Sequence, residues 1–175
     1  ITGITGQDGS YLAEFLLARG YAVHGFVRAS SRVEQGHLAP VAGQMVIHRG
    51  DLSDHHAVNA VMAASEPHEV YHLAGQTHVA VAERDPGATL RQNVLGTLHL
   101  LEAARKLPAA PRLFHASTAQ IFGIPETEPQ DESTPVRPLN PYGHSKALST
   151  EFVRMWRQEF GLFAVNGILF NHESP

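Results

Sequence analysis

The chain has 175 residues, 43% of them hydrophobic and 17% charged, and a formal net charge of -4 with both signs mixed along its length. Such a composition suits one ordinary globular domain able to bury a sizeable core. It excludes the basic surface that nucleic acid demands and an apolar run able to span a bilayer; the absence of cysteine excludes disulfides and thiolate metal sites. A cytoplasmic protein with no signal peptide is expected.

Apolar runs alternate with segments of helical period. ITGITGQDG enters a glycine turn after scarcely any strand and leads into a helix whose Leu12, Phe15 and Leu16 share one face until Gly20 ends it. Strands are predicted over residues 22–27 and 45–48, followed by a helix with Val58, Val61 and Met62 inward that stops before Pro67. Residues 69–73 form the next predicted strand. Leu95, Leu98, Leu101 and Leu107 line a longer helix closed by Pro108, and residues 112–116 follow as a strand. The polar, proline-bearing stretch 125–141 is the one long loop, a kind that usually carries function or is disordered. Asn140 then caps a helix with Pro141 in its first turn, Leu148, Phe152, Met155 and Trp156 on one face, and Gly161 at its end. Residues 163–169 make the last strand. The alternation predicts an α/β fold: a Rossmann-type doubly wound parallel sheet with helices on both faces. Both ends read as cut, so residues 1–175 are expected to be a dinucleotide-binding domain, truncated before a substrate-binding C-terminal region.

Gly3, Gly6 and Gly9 give G-x-x-G-x-x-G between the strand remnant and the first helix. Side chains there would keep the backbone from a pyrophosphate at the helix N-terminus, so the spacing points to a dinucleotide. The alternative is a tight turn with no ligand. Cofactor choice turns on the end of the second strand, HGFVRASSR, where Arg28 stands in place of the carboxylate that holds the ribose hydroxyls of NAD. A guanidinium beside Ser30 and Ser31 suits the extra phosphate of NADP, the alternative being a solvated surface arginine.

NPYGHSK places Tyr142 and Lys146 four apart, on one face of a helix. A lysine cation one turn from a phenol, together with an oxidised nicotinamide, favours the phenolate. Of the thirteen Lys and Arg residues only Lys106 and Lys146 are lysine, which suggests that a compact ammonium is needed at 146. In ASTAQIFG the hydroxyls of Ser117 and Thr118 are placed to hold a substrate, and two positions on stands Gln120, which exchanges no proton near neutral pH.

Twelve histidines invite a metal, but His55 and His56 point apart on a helix and no spacing brings three ligands to one face, so no metal site is expected. His24, His48 and His115 lie in or beside apolar strands and read as hydrogen-bonded core residues. His78 is a candidate for the lining of a sugar pocket. Asn93 is either such a lining residue or a helix-interior amide bonded to a neighbouring loop.

ITGITGQDGSYLAEFLLARGYAVHGFVR, GDLSD, NPYGHSK and FAVNGILFNHESP, in this order, resemble the extended short-chain dehydrogenase/reductase family, and within it the GDP-mannose 4,6-dehydratases. The resemblance implies NADP as cofactor and a nucleotide sugar, GDP-mannose, as substrate of a hydro-lyase; a homo-oligomer is expected. It implies that Gly3, Ile4, Thr5, Gly6, Gln7, Asp8 and Gly9 form the phosphate turn, that Arg28 meets the adenosine phosphate, and that Asp51 and Leu52 meet the adenine. Leu73, Ala74, Gly75, Gln76 and Thr77 would pass the inner ribose and nicotinamide. Lys146 would grip the nicotinamide ribose beside Tyr142, and His172 would touch the cofactor from the NHESP turn. The implied catalytic set is Thr118, Tyr142, Lys146 and a glutamate whose place is taken by Gln120. Water elimination needs a base there, and an amide is none. Four expectations follow: another carboxylate or histidine substitutes, Glu126, Glu128, Asp131 and Glu132 lying in the nearby loop; the protein performs only redox chemistry at carbon four, as a reductase or epimerase; it is a weakened enzyme in which the glutamine is a relic; or it binds a dinucleotide without turnover.

Overall fold

The computed structural model describes residues 1–33 and 36–174. Within them β1 (His24–Val27) pairs with β2 (Val46–Arg49), and β3 (Glu69–His72) pairs with β4 (Arg112–Thr118), which in turn pairs with β5 (Ala164–Leu169), all in parallel. Thr2 joins the two halves, bridging Phe26 on one side and His72 on the other in the same sense. The order is therefore β2-β1-Thr2-β3-β4-β5, and the glycine turn leaves the middle of the sheet at the C-terminal ends of its strands. In open α/β sheets that is where ligands bind.

Helices α1 (Gln7–Leu17), α2 (His55–Ser65), α3 (Val79–Arg84), α4 (Pro86–Leu90), α5 (Gly96–Lys106) and α6 (Pro141–Phe160) connect the strands. The two faces of the sheet have separate cores. On one, Val58, Met62, Leu100, Leu101, Val153 and Trp156 from α2, α5 and α6 meet Phe26, Val70 and Leu113. On the other, Ala13 and Leu16 of α1 meet Ile4, Val23, Val27 and Leu38. Leu101 has no exposed surface, and its truncation to alanine is worth about 2–5 kcal/mol.

Local chemistry fixes the helix ends. The Asp54 carboxylate accepts from His56 N at 2.9 Å to start α2. Asn140 Oδ1 accepts from Gly143 N at 2.8 Å to start α6, and Gly161 closes it at φ 66°, in the left-handed region. No helix or strand lies between Ile121 and Pro141, in keeping with the expected long loop.

Two predicted faces are rotated. Phe15 is 50% exposed and lies beneath the Arg19 guanidinium, because Gly9, Ala13 and Leu16 supply the stripe that α1 buries. Leu148 is exposed as well. The stripe α6 buries is Tyr142, Ser145, Lys146, Ser149, Val153 and Trp156, half of it polar. Buried polar groups are tolerated when they find partners, so an apolar pattern alone misplaces this face.

Candidate functional site

A groove of about 590 Å³ opens along the C-terminal ends of the central strands. Of the expected phosphate turn, Gly3, Thr5, Gly6, Gln7, Asp8 and Gly9 line it, and Arg28, Asp51 and Leu52 form one end. Leu73, Ala74, Gly75, Gln76, Thr77 and His78 form its far wall. Ile4 is the exception: its side chain is wholly buried in the α1 core, so any contact it makes with a ligand is through its backbone.

Gly6 is the N-cap of α1 and no side chain caps that end, leaving the first-turn amides as donors for an anion. Gly3 and Gly9 are required for a different reason than the sequence suggests. A Cβ on Gly3 would stand 2.7 Å from Ala74 N, and one on Gly9 would stand 2.3 Å from Gly3 O. The turn thus packs on itself and on residues 73–74 so closely that the backbone, before any ligand, forbids side chains there.

Asp51 Oδ1 accepts from Ser53 N at 2.8 Å and from Ser53 Oγ at 2.7 Å. These bonds, backbone first, hold the carboxyl below the usual carboxylate range, and the Arg28 guanidinium adds to them. Residues 172–174 fold back over the glycine turn: His172 Nε2 lies 2.9 Å from Asp8 Oδ1, and Gln7 Nε2 donates to Ser174 Oγ. The Phe170 carbonyl, and after it Asp8, raise the His172 pKa. Pro175 lies outside the described residues.

Tyr142 and Lys146 stand beside the groove on α6. Lys146 Nζ donates to the Ala116 carbonyl of β4 at 2.8 Å, and burial lowers its pKa to about 8. A Cβ on Gly75 would come within 3.4 Å of that ammonium, so the loop lies against it. Burial also raises the Tyr142 pKa, opposed only by a hydrogen bond with Thr118. The expectation is of a lysine cation acting together with an oxidised nicotinamide, and without the cofactor Lys146 is not among the causes that lower the Tyr142 pKa. Within the protein desolvation dominates, and a phenolate needs positive charge from a bound cofactor.

Ser117 and Thr118 part company. Ser117 is buried and bonds Thr150 Oγ1 at 2.7 Å, which withdraws it from any substrate, whereas Thr118 faces Tyr142 at the end of β4. Gln120 is exposed in the short turn Ala119–Ile121, where its Oε1 accepts from Asn140 Nδ2 at 3.3 Å. The backbone of the two segments is in close contact, since a Cβ on Gly143 would stand 2.8 Å from Gln120 O. Among the candidate substitutes in the loop, Glu126 pairs with Arg137, and Asp131 Oδ1 accepts from Ser133 N at 2.9 Å. Glu128 and Glu132 are exposed.

One residue of this site was left open by its sequence context. Between α4 and α5 the helix widens into a π-turn, Arg91–Leu95, which buries Asn93. Its carboxamide bonds the loop of residues 73–77 and α6 together, so the reading as an amide bonded to a neighbouring loop holds. Two further buried histidines lie beneath. His72 bonds Thr2 Oγ1 at 2.8 Å and Thr97 Oγ1 at 3.0 Å, and His115 Nδ1 bonds Asn166 Oδ1 at 2.9 Å. His24 and His48 are half-buried and bond each other at 2.9 Å. Among the described residues no group of three or more His, Asp or Glu side chains is arranged to hold a metal ion, and no helix is long and apolar enough to cross a membrane.

The family model described as GDP-mannose 4,6 dehydratase matches residues 1–175. The chain belongs to that family. A GDP-mannose 4,6-dehydratase of Vibrio cholerae is 44% identical over 184 residues, and one of Homo sapiens 43% over 185; each alignment takes in 100% of this chain and 50% of the relative. The chain thus spans about half the length of these curated relatives. Among solved structures, a UDP-glucose 4-epimerase of Thermus thermophilus in complex with NAD superposes with a TM-score of 0.83 at 35% identity, over 94% of this chain and 52% of that one. A dTDP-glucose 4,6-dehydratase of Streptomyces venezuelae with NAD bound gives 0.81 at 28% identity, over 94% and 53%. Family membership and fold agree with the Rossmann-type sheet built here.

Proposed function

We propose that residues 1–175 are the NADP-binding domain of a cytoplasmic nucleotide-sugar 4,6-dehydratase that acts on GDP-mannose, the sugar being held largely by residues outside this chain. The observation that carries the reading is the convergence of Thr118, Tyr142 and Lys146 at the end of β4, beside a groove closed at one end by Arg28. The groove fits a dinucleotide on its own features: a helix N-terminus without a side-chain cap, a turn that packs only with glycine, and a guanidinium at the adenosine end. That guanidinium favours NADP over the NAD named for the two superposed structures.

NADP, when bound, supplies the hydride acceptor and donor. The chain's own residues do the rest. Tyr142 takes the proton of the sugar's 4-hydroxyl, and Thr118 orients the phenol by the hydrogen bond they share. Lys146, with its pKa drawn down to about 8, remains largely protonated at neutral pH and holds ribose hydroxyls by its ammonium. The ketone formed at carbon four acidifies the carbon-five proton, which must be removed before water leaves carbon six. Gln120 cannot do this, so elimination is slow or relies on a carboxylate of the 122–140 loop.

A second reading is favoured by Gln120 itself: redox chemistry at carbon four alone, as a reductase or epimerase, which needs no such base. Incubating the full-length protein with NADP and GDP-mannose separates the two. GDP-4-keto-6-deoxymannose is the expected product; a sugar changed only at carbon four supports the second reading, and cofactor binding without any product contradicts both. Tyr142→Phe should lower turnover by about 10²- to 10⁴-fold with cofactor affinity nearly unchanged. Retention of most activity would remove Tyr142 from the base role.

A further inference from the structure

The turn that carries Arg28 is held by a second arginine. Arg49 ends β2, directly opposite Val27 of β1 in parallel register. From there its Nη1 donates to two backbone carbonyls of the neighbouring turn, Ser31 O at 2.8 Å and Ala29 O at 3.3 Å. The turn is closed internally by Ser31 N donating to Arg28 O at 3.0 Å, and its base is closed by Gly50 N donating to Val27 O at 2.9 Å. Arg28 and Ser31 line the groove, whereas Arg49 does not. The guanidinium is thus bonded to the turn without lining the groove.

We infer that Arg49 is a positioning residue that sets the preference for a phosphorylated adenosine ribose. The inference rests on the reading of the groove as an NADP site. Two carbonyl oxygens engaged by one planar cation cannot turn toward a phosphate, where they would repel it. Their engagement also fixes the backbone that carries Arg28. A free turn would have to give up its conformational freedom each time a phosphate bound, and bracing it beforehand removes that cost from binding. NAD, which lacks the phosphate, does not draw on this arrangement. The effect must therefore appear as a difference between the two cofactors rather than as a general weakening.

The test is calorimetric titration of the full-length protein, wild type, Arg49→Met and Arg49→Lys, with NADP and with NAD. Wild type is expected to bind NADP the more tightly. Arg49→Met is expected to weaken NADP by about tenfold, the scale of losing charge-assisted hydrogen bonds, while NAD affinity stays within about twofold. Because NAD reads the same groove, its retained binding certifies that the variant is folded. Arg49→Lys keeps a charged nitrogen able to donate to two carbonyls, as Nη1 does, and is expected to recover part of the lost NADP affinity; a lysine variant no tighter for NADP than Arg49→Met would overturn the bracing. Equal losses for both cofactors in Arg49→Met, or no loss for either, overturn it too. A wild type that prefers NAD overturns the NADP reading first, and this inference with it.

Discussion

Asn93 holds Gln76 by both of its backbone polar groups: its Oδ1 accepts from Gln76 N at 2.8 Å, and its Nδ2 donates to Gln76 O at 3.0 Å. The same Nδ2 also donates to Ser145 Oγ at 2.9 Å, one residue before Lys146. A single buried carboxamide thus ties the wall of the groove to the helix that carries Tyr142 and Lys146.

Asn93→Ala leaves the two Gln76 backbone groups and the Ser145 hydroxyl without this partner. Stability should fall by about 2 kcal/mol, and turnover should fall further than stability explains, because the loop and α6 are no longer locked together. Thermal unfolding and steady-state kinetics at a temperature where the variant is fully folded check this. Unchanged kcat in the folded variant would show that the clasp serves stability alone.

His72 and His115 make the fold sensitive to acid. Burial lowers the pKa of His115 to about 3 and that of His72 well below its ordinary value, and the nearby Lys146 cation adds to both. Both rings are therefore neutral in the folded state and take up protons on unfolding. Their contribution is fully present above the unfolded value near 6.5 and is lost as pH falls below it, for His115 down to about 3. Each adds a slope of about 1.4 kcal/mol per pH unit. Urea unfolding at pH 7, 6 and 5 should show stability declining, and His115→Gln should roughly halve that decline. A decline unaltered by the substitution would assign it to other groups.

Lys146 should trade stability for chemistry. Its folded pKa of about 8 lies below the ordinary 10.5, so burial penalises the charged form. The penalty is present in full below about pH 8 and fades as pH rises toward 10.5, where the unfolded chain also loses its proton. Lys146→Met is expected to stabilise the fold by about 2 kcal/mol at pH 7, the gain shrinking above pH 8, while turnover is abolished. Melting curves from pH 7 to 10 report the gain. Destabilisation by Met at every pH would mean that the bond to Ala116 O outweighs the desolvation of the charge.

The strands were legible because short apolar runs bounded by Gly and Pro have few alternatives, and β3 and β5 fall within a residue of their predicted starts. The glycine turn and the Tyr142–Lys146 pair were legible from spacing. The inward face of α6 was not: Ser145 and Ser149 are buried because Asn93 and backbone oxygens of the helix satisfy their hydroxyls, and Asn93 lies 52 and 56 residues away in sequence. Helix α3 and the π-turn were equally hidden, since Asn93 is paid for by tertiary bonds that no local pattern encodes. Nor does local sequence reveal that Arg49 reaches back across β1 to the 28–31 turn.

On the proposed function Gln120 decides whether water elimination has a base in the turn after β4, and the exchange of one proton tests it. The full-length protein and its Gln120→Glu variant can be incubated with GDP-mannose and NADP in deuterated water, and incorporation of deuterium at carbon five followed by NMR. The carboxylate would sit on the turn beside Thr118, bonded to Asn140 in place of the amide oxygen, and able to accept a proton. The variant should exchange that proton about 10²-fold faster than the parent or more, with cofactor affinity little changed. A parent that exchanges it as fast as the variant would contradict the account and place the base elsewhere.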